Sequence, residues 1–305
     1  MEYSNEFMVR LKDEVSADEG VVLEVYLDHL GYPTVGVGHL ILESDPEYGE
    51  GTGFKINQTR CDELFYQDIR NVLNDNYTYF YVKKADASRI YGLELEHILS
   101  PHNLNFLVYK DTLIEEHISG IPGDDFIKEF LPKCSESEKS QIAKEFVKFK
   151  ERCLVRLLGD MRSYNYVIIP THDFDKIIYK IRAIDFDQQS FEGNLKVYDL
   201  QFLKENFKIV DMVSRKLDNN SIMQYKLEER SFMAKRMITS PRRASRLIKC
   251  MKNDTLSFPD NVQLLKKHLI KYVGDVKFKE CTNMGEILET ILVFVKRNYQ
   301  DVLTK

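Results

Sequence analysis

The run from Glu19 to His39 constrains this chain more than any other. It reads Glu19-Gly20, Val21-Val22-Leu23-Glu24-Val25-Tyr26, Leu27-Asp28, then Gly31-Tyr32-Pro33-Thr34-Val35-Gly36-Val37-Gly38-His39. β-Branched and aromatic residues mark 21–26 as a strand. Gly31-Tyr32-Pro33 is a turn signal, so 34–38 is expected to return antiparallel. Upstream, Phe7, Val9, Leu11 and Val15 sit among Arg10, Lys12, Asp13 and Glu14, a loosely amphipathic helix. Gly20 would end that helix, because the left-handed residue past a helix C-terminus favours glycine. A helix feeding a β-hairpin is therefore predicted, with a carboxylate at each junction.

Glycoside hydrolysis needs one carboxyl to protonate the leaving oxygen and a second to activate water or attack the sugar. Glu19 and Asp28 have the right chemistry for that pair. A carboxyl at a helix C-terminus faces negative peptide dipoles, and partial burial adds to their effect. Both raise its pKa and suit Glu19 to be the acid. Thr34 is expected across the hairpin from Asp28, where its hydroxyl would help to hold a water. Taken singly, each carboxylate also suits the solvated edge of a hairpin.

The joint pattern resembles the N-terminal lobe of the phage-type lysozymes, glycoside hydrolases of the endolysin kind. That family carries Glu-Gly, then Tyr-x-Asp, then Gly-Tyr-x-Thr-x-Gly-x-Gly-His, and Glu19-Gly20, Tyr26-Leu27-Asp28 and 31–39 repeat it without gaps. The likeness continues through Leu40-Ile41, Ile56-Asn57-Gln58 and Glu63-Leu64-Phe65-Tyr66-Gln67-Asp68-Ile69, covering about residues 7–75. The resemblance implies an inverting N-acetylmuramidase acting on peptidoglycan saccharide with no cofactor. By it, Glu19 is the general acid, Asp28 and Thr34 position the attacking water, and His39 is structural. A helix from Asn57, its N-cap, to about Leu73 follows.

Past residue 75 the resemblance stops, and the helical lobe that forms the other wall of the lysozyme cleft is not recognisable. A length of 305 residues is enough for two cores. The expected division is 1–75 and 76–305. Residues 1–75 hold five Lys and Arg against sixteen Asp and Glu, whereas 76–305 hold 38 against 32. An acidic lobe is poorly steered toward an anionic wall. The mild basic excess beyond it has no interleaved aromatics, which argues against a nucleic-acid partner. Cys61, Cys134, Cys153, Cys250 and Cys281 are odd in number and form no CxxC pair, so neither a zinc ribbon nor a disulfide framework is expected. With no apolar leader and no apolar run of spanning length, the expectation is a cytoplasmic chain without membrane insertion. No internal repeat or low-complexity tract is present.

The second part carries its own constellation. Strand-like Tyr77-Thr78-Tyr79-Phe80-Tyr81-Val82 ends in Lys83-Lys84, and a helix over 88–99 bears Glu94 and Glu96. A hairpin over 107–118 leads to Gly120-Ile121-Pro122-Gly123. Helical stretches over 125–130 and 138–158 follow, then Gly159-Asp160-Met161-Arg162-Ser163-Tyr164-Asn165. Strands over 166–169 and 177–184 end at Asp185-Phe186-Asp187. Phosphoryl transfer needs a lysine on the nucleotide phosphates, an acid holding it, an orienter for the acceptor, and Asn and Asp ligands for magnesium. The order resembles the protein-kinase-like and aminoglycoside-phosphotransferase-like fold.

That second resemblance implies Mg and ATP, with Lys83 or Lys84 on the phosphates and Glu94 or Glu96 holding the lysine. Asp160 would orient the acceptor, and Asn165 and Asp185 would bind the metal. It also implies a remnant N-lobe and hinge over 76–123 and a mostly helical C-lobe over 124–305. Leu158 stands where the family has His, Asp187 where protein kinases have Gly, and no Gly-rich loop precedes Lys83. The last third reads as amphipathic helix, for example 203–217 and 262–272, and Pro241-Arg242-Arg243-Ala244-Ser245-Arg246 as a solvated basic face.

The fold class is therefore read as α+β, a lysozyme-like lobe followed by a truncated kinase-like domain. The first functional reading is a lysozyme-type glycosidase. The second is an ATP-dependent phosphotransferase, and the third a non-catalytic binding protein that keeps both folds.

Overall fold

A computed structural model of the chain describes residues 9, 12–13, 15–17, 20–28, 31–74, 80–102, 104–173 and 176–303. They form a mixed α+β protein of two units, Met1–Tyr79 and Phe80–Lys305.

In the first unit, Val9, Lys12, Asp13, Val15, Ser16 and Ala17 are helical. The Gly20 N–H donates to Ser16 O at 3.0 Å with φ +81°, the left-handed stop expected of it. Strand β1 (Val22–Leu27) pairs antiparallel with β2 (Pro33–Gly36), and β3 (His39–Leu40) adds to β2. The register sets Tyr26 opposite Thr34 and Leu27 opposite Pro33. Thr34 is thus not across from Asp28, because the chain is already turning at that residue. Gly36 has φ +71°, and a Cβ there would meet Cys61 Sγ at 3.3 Å. Glycine thereby makes the β2–β3 turn and lets helix α1 (Gln58–Asn74) close onto the sheet. Asn57 caps α1, accepting from the Arg60 N–H at 2.8 Å. Among the described residues Val25, Val35, Ile41 and Leu64 form a buried cluster with Ile56 packed against it, and Cys61 and Phe65 are buried too.

The second unit starts with an antiparallel sheet in the order β4-β6-β5, made of β4 (Phe80–Lys84), β5 (Phe106–Tyr109) and β6 (Thr112–Glu116). Residues 77–79 of the expected strand lie outside the described residues. Helix α2 (Ala87–Leu99) connects β4 to β5, and Asp86 caps it by accepting from the Arg89 N–H. A second sheet joins β7 (Ile121–Pro122), β8 (Tyr166–Asp173) and β9 (Lys176–Ala183). The stretch expected as helical over 125–130 is helical, α at Gly123–Asp125, π-helical at Phe126–Phe130 and 3-10 at Leu131–Lys133, where Pro132 has no N–H to give.

Helix α3 (Glu136–Arg156) opens on a capping box formed by Ser135 and Glu138. It ends at Leu157, which adopts φ +58°, so the helix stops short of the expected 158. The helical remainder comprises α4 (Phe207–Lys216), α5 (Asn219–Thr239), α6 (Pro241–Asn253), α7 (Pro259–Val273) and α8 (Met284–Leu303). Helix α4 begins later than the amphipathic pattern predicts, because 3-10 turns occupy Leu200–Phe202 and Lys204–Asn206.

Two cores hold this unit. One joins α3 to β8, β9 and α4 through Phe146, Phe149, Tyr166, Ile168, Ile181 and Ile209. The other joins α2 and the end of α3 to the last four helices through Leu95, Leu99, Met233, Leu265 and Leu288. Each fully buried side chain of this size contributes about 1.5–3 kcal/mol. No helix among the described residues is long and apolar enough to cross a membrane. The five cysteines are free thiols.

Candidate functional site

Two clusters carry titratable chemistry, one in each unit. In the first, Glu19 lies outside the described residues. Asp28 follows β1 directly, and its carboxylate and backbone close the 28–32 loop. Its N–H donates to Tyr32 O at 2.9 Å, and its Oδ1 accepts from the Tyr32 N–H at 2.9 Å. The Thr34 hydroxyl donates to the same Tyr32 carbonyl at 3.1 Å and is buried. Asp28 and Thr34 are therefore both fixed on the backbone of Tyr32, at its N–H and its C=O, rather than across a strand pair.

Behind that loop, His39 is buried between two carboxylates. Its Nδ1 lies 2.9 Å from Asp68 on α1, and its Nε2 3.0 Å from Asp45. Burial pushes its pKa down, but the hydrogen bonds to Asp68 and Asp45 outweigh it and hold the ring above its ordinary value. Asp45 is desolvated too, yet the Leu42 N–H and His39 keep its carboxyl below the usual range. This triad braces the hairpin against α1. Its two acids were not singled out in the sequence; only contact with a buried histidine distinguishes them from surface carboxylates.

In the second unit, Asp160, Asn165, Asp185 and Asp187 gather between α3 and β8–β9. Asn165 Nδ2 donates to Asp160 O at 2.7 Å and closes the 160–165 loop. The Ile184 N–H donates to Asn165 O at 3.1 Å and ties that loop to the end of β9. Asp160 takes φ +55°, a left-handed conformation that Asp tolerates better than most residues. Its carboxylate is engaged by Arg162 Nε at 2.7 Å. Asp185 Oδ1 accepts from the Asp187 N–H at 3.3 Å. Burial and then the charge of Asp185 raise the Asp187 pKa against the pull of Arg89, with Asp160 and Asp86 adding to the rise. The cluster thus concentrates negative charge.

The expected lysine and its acid are not brought together as the sequence suggested. Lys83 pairs with Glu115 on β6, not with Glu94 or Glu96. Glu94 pairs with Arg243 of α6, so part of the basic run is an ion-pair partner rather than a merely solvated face. Glu96 is buried against Arg156 of α3. Burial opposes its charge, and Arg156 and Arg152 more than offset that, holding the carboxyl below its ordinary range. Lys84 is exposed at the end of β4. Beside Lys83 and Glu115 is a cavity of about 100 Å³ lined by Tyr81, His117, Gly120, Val167 and Phe186. Glu115 was missed because its role depends on strand register, which pairs Lys83 with its neighbour Leu113. Among the described residues no group of three or more His, Cys, Asp or Glu could by itself hold a metal ion.

Residues 16–88 match the model of the phage lysozyme family. The matched stretch includes Glu19, Asp28, Thr34 and His39, all of β1–β3 and α1, and runs on through β4. No curated protein matches the chain.

Proposed function

We propose that the chain is a lysozyme-like peptidoglycan hydrolase whose reacting groups lie in its first unit. The family match over residues 16–88 carries this reading. Glu19 is assigned the general acid on its place in the motif. The geometry of Asp28 and Thr34 supports the rest of an inverting mechanism. Thr34 commits its proton to Tyr32 O, so its oxygen offers only lone pairs, as does the Asp28 carboxylate. A water held by both would donate its two protons to them and keep its own lone pair for the anomeric carbon. That orientation is what an inverting glycosidase requires of its nucleophile. The test is clearing of a peptidoglycan suspension by the intact chain at low and moderate salt. Wild type should clear it, with Glu19→Gln lowering the rate by at least about 100-fold, the scale of general acid catalysis. Unchanged turbidity with wild-type protein at every salt concentration would sink the assignment.

A second reading concerns the other unit, an ATP- and magnesium-dependent phosphotransferase of kinase-like fold. The closed Asp160–Asn165 loop next to Asp185 and Asp187 favours it. Asn165 and Asp185 would hold a magnesium ion that completes its shell with water and phosphate oxygens, as this ion commonly does. Asp187, whose pKa is raised first by burial and then by the charge of Asp185, adds a carboxyl beside them. A nucleotide base fits less well: the cavity of about 100 Å³ is below the roughly 300–1,000 Å³ of small-molecule sites. No transfer step is assigned on that ground. This reading predicts a magnesium-dependent rise in melting temperature with ATP that Asp185→Ala removes. An unmoved melting curve for wild type in millimolar Mg-ATP leaves this unit without a nucleotide role.

A further inference from the structure

A larger cavity, of about 500 Å³, opens elsewhere in the second unit and uses none of the residues assigned above. The 3-10 turns over 195–202 form one wall, and the end of α7, with His268, Lys271 and Tyr272, forms the other. Its size lies within the range of small-molecule sites, about 300–1,000 Å³.

Two large rings are left open to it. Phe202 is 48% and Tyr272 51% exposed, and both line the cavity. Lys196 lines it too, with its Nζ 5.1 Å from the Phe202 ring centroid. Neither Lys196 nor Lys271 has a carboxylate partner among the described residues. Leu195 N–H donates to His268 Nδ1 at 3.3 Å. The neutral ring then carries its proton on Nε2 and can act only as a donor there. Asp199 is the single carboxylate in the lining, and it is already satisfied. Its Oδ1 is 3.1 Å from Lys150 Nζ, and its Oδ2 accepts from Gln201 Nε2 at 2.8 Å.

Two ammonium groups, an N–H donor and two open rings surround a space whose one lining carboxylate, Asp199, is paired with Lys150 and Gln201. We infer that this cavity binds a small aromatic anion. Its flat body would stack on Phe202 and Tyr272, and its carboxylate, sulfonate or phosphate would be held by Lys196, Lys271 and His268.

The chain has no tryptophan, so Phe202→Trp places a lone fluorescent reporter in the cavity wall. Titration of this variant with anilinonaphthalene sulfonate should quench the reporter with saturation at one equivalent. The uncharged parent, phenylnaphthylamine, should bind at least about tenfold more weakly, a difference of about 1.4 kcal/mol. Adding Lys196→Met and Lys271→Met should weaken sulfonate binding by at least about tenfold, while the corresponding pair of arginines retains it. Melting curves recorded on the same proteins establish that each is folded. Equal binding of the charged and uncharged probes overturns the inference. So does undiminished sulfonate binding in the folded methionine pair. The comparison of probes stands even if that pair does not fold.

Discussion

At the scale of single residues, the charge of His39 bears on the first unit's stability. Its pKa is raised above 6.5, so its contribution is complete below that pH and is lost as pH rises through the higher folded value. Asp45 is depressed below 3.8, so its contribution is complete above that pH and is lost as pH falls through the lower folded value. The two windows overlap between 3.8 and 6.5. Urea unfolding followed by hairpin-sensitive NMR signals should therefore show the first unit most stable in that interval. His39→Gln should flatten its alkaline side, and an unchanged profile in the variant would dismiss the triad as a brace. The sequence motif singled out His39, and the family resemblance implied a structural role for it. It could not disclose Asp45 and Asp68, since partners in a loop and on a following helix are chosen by how α1 docks. Asp28 was equally visible, but its partner in the turn was not. The two-residue shift in register, from Thr34 facing Asp28 to Thr34 facing Tyr26, comes from the chain leaving the ladder at Leu27.

Among elements, α2 shows how a local reading can find a helix and mistake its purpose. The pattern over 88–99 marked the helix and two acids, and both acids were assigned to a lysine. What determines their roles is the contact of α2 with α3, 60 residues away at the Glu96–Arg156 pair. Arg156 also donates to Gly92 O, and its guanidinium lies 5.5 Å from the Phe186 ring centroid. A Cβ at Gly92 would come within 2.7 Å of Phe186 Cβ, so glycine is what lets the helix rest on the segment between Asp185 and Asp187. The ion pair thus anchors α2 against the acidic cluster. Removing one partner of a buried pair leaves an uncompensated charge and costs about 3–5 kcal/mol. Glu96→Ala should lower the unfolding free energy of this unit by that amount in guanidinium titrations. A loss below about 1 kcal/mol would mean the pair is dispensable. Glu94→Ala removes only an exposed pair with Arg243 and is the matched control.

For the whole molecule, the mixed α+β architecture was readable from composition and motif, whereas the family match runs to residue 88, past the break expected near 75. Among the described residues the first unit has one small buried cluster, whereas the second has two extensive ones. Domains of about 60–80 residues have little apolar burial to set against chain entropy. Excised residues 80–305 should melt cooperatively by calorimetry, and excised 1–79 should show no heat-absorption peak at neutral pH. A sharp transition in the short fragment would require a fuller core than the one described. The arrangement of the first sheet of the second unit has one more consequence. Strand β4 pairs only with β6 among the described residues, so its outer side presents backbone donors and acceptors in extended form. Such a margin is a template on which another chain can crystallise into a shared sheet, the seed of fibrils. Its five-residue length and the positive charge of Lys84 at its end work against that growth. The same strand supplies Tyr81 to the cavity beside the Lys83–Glu115 pair.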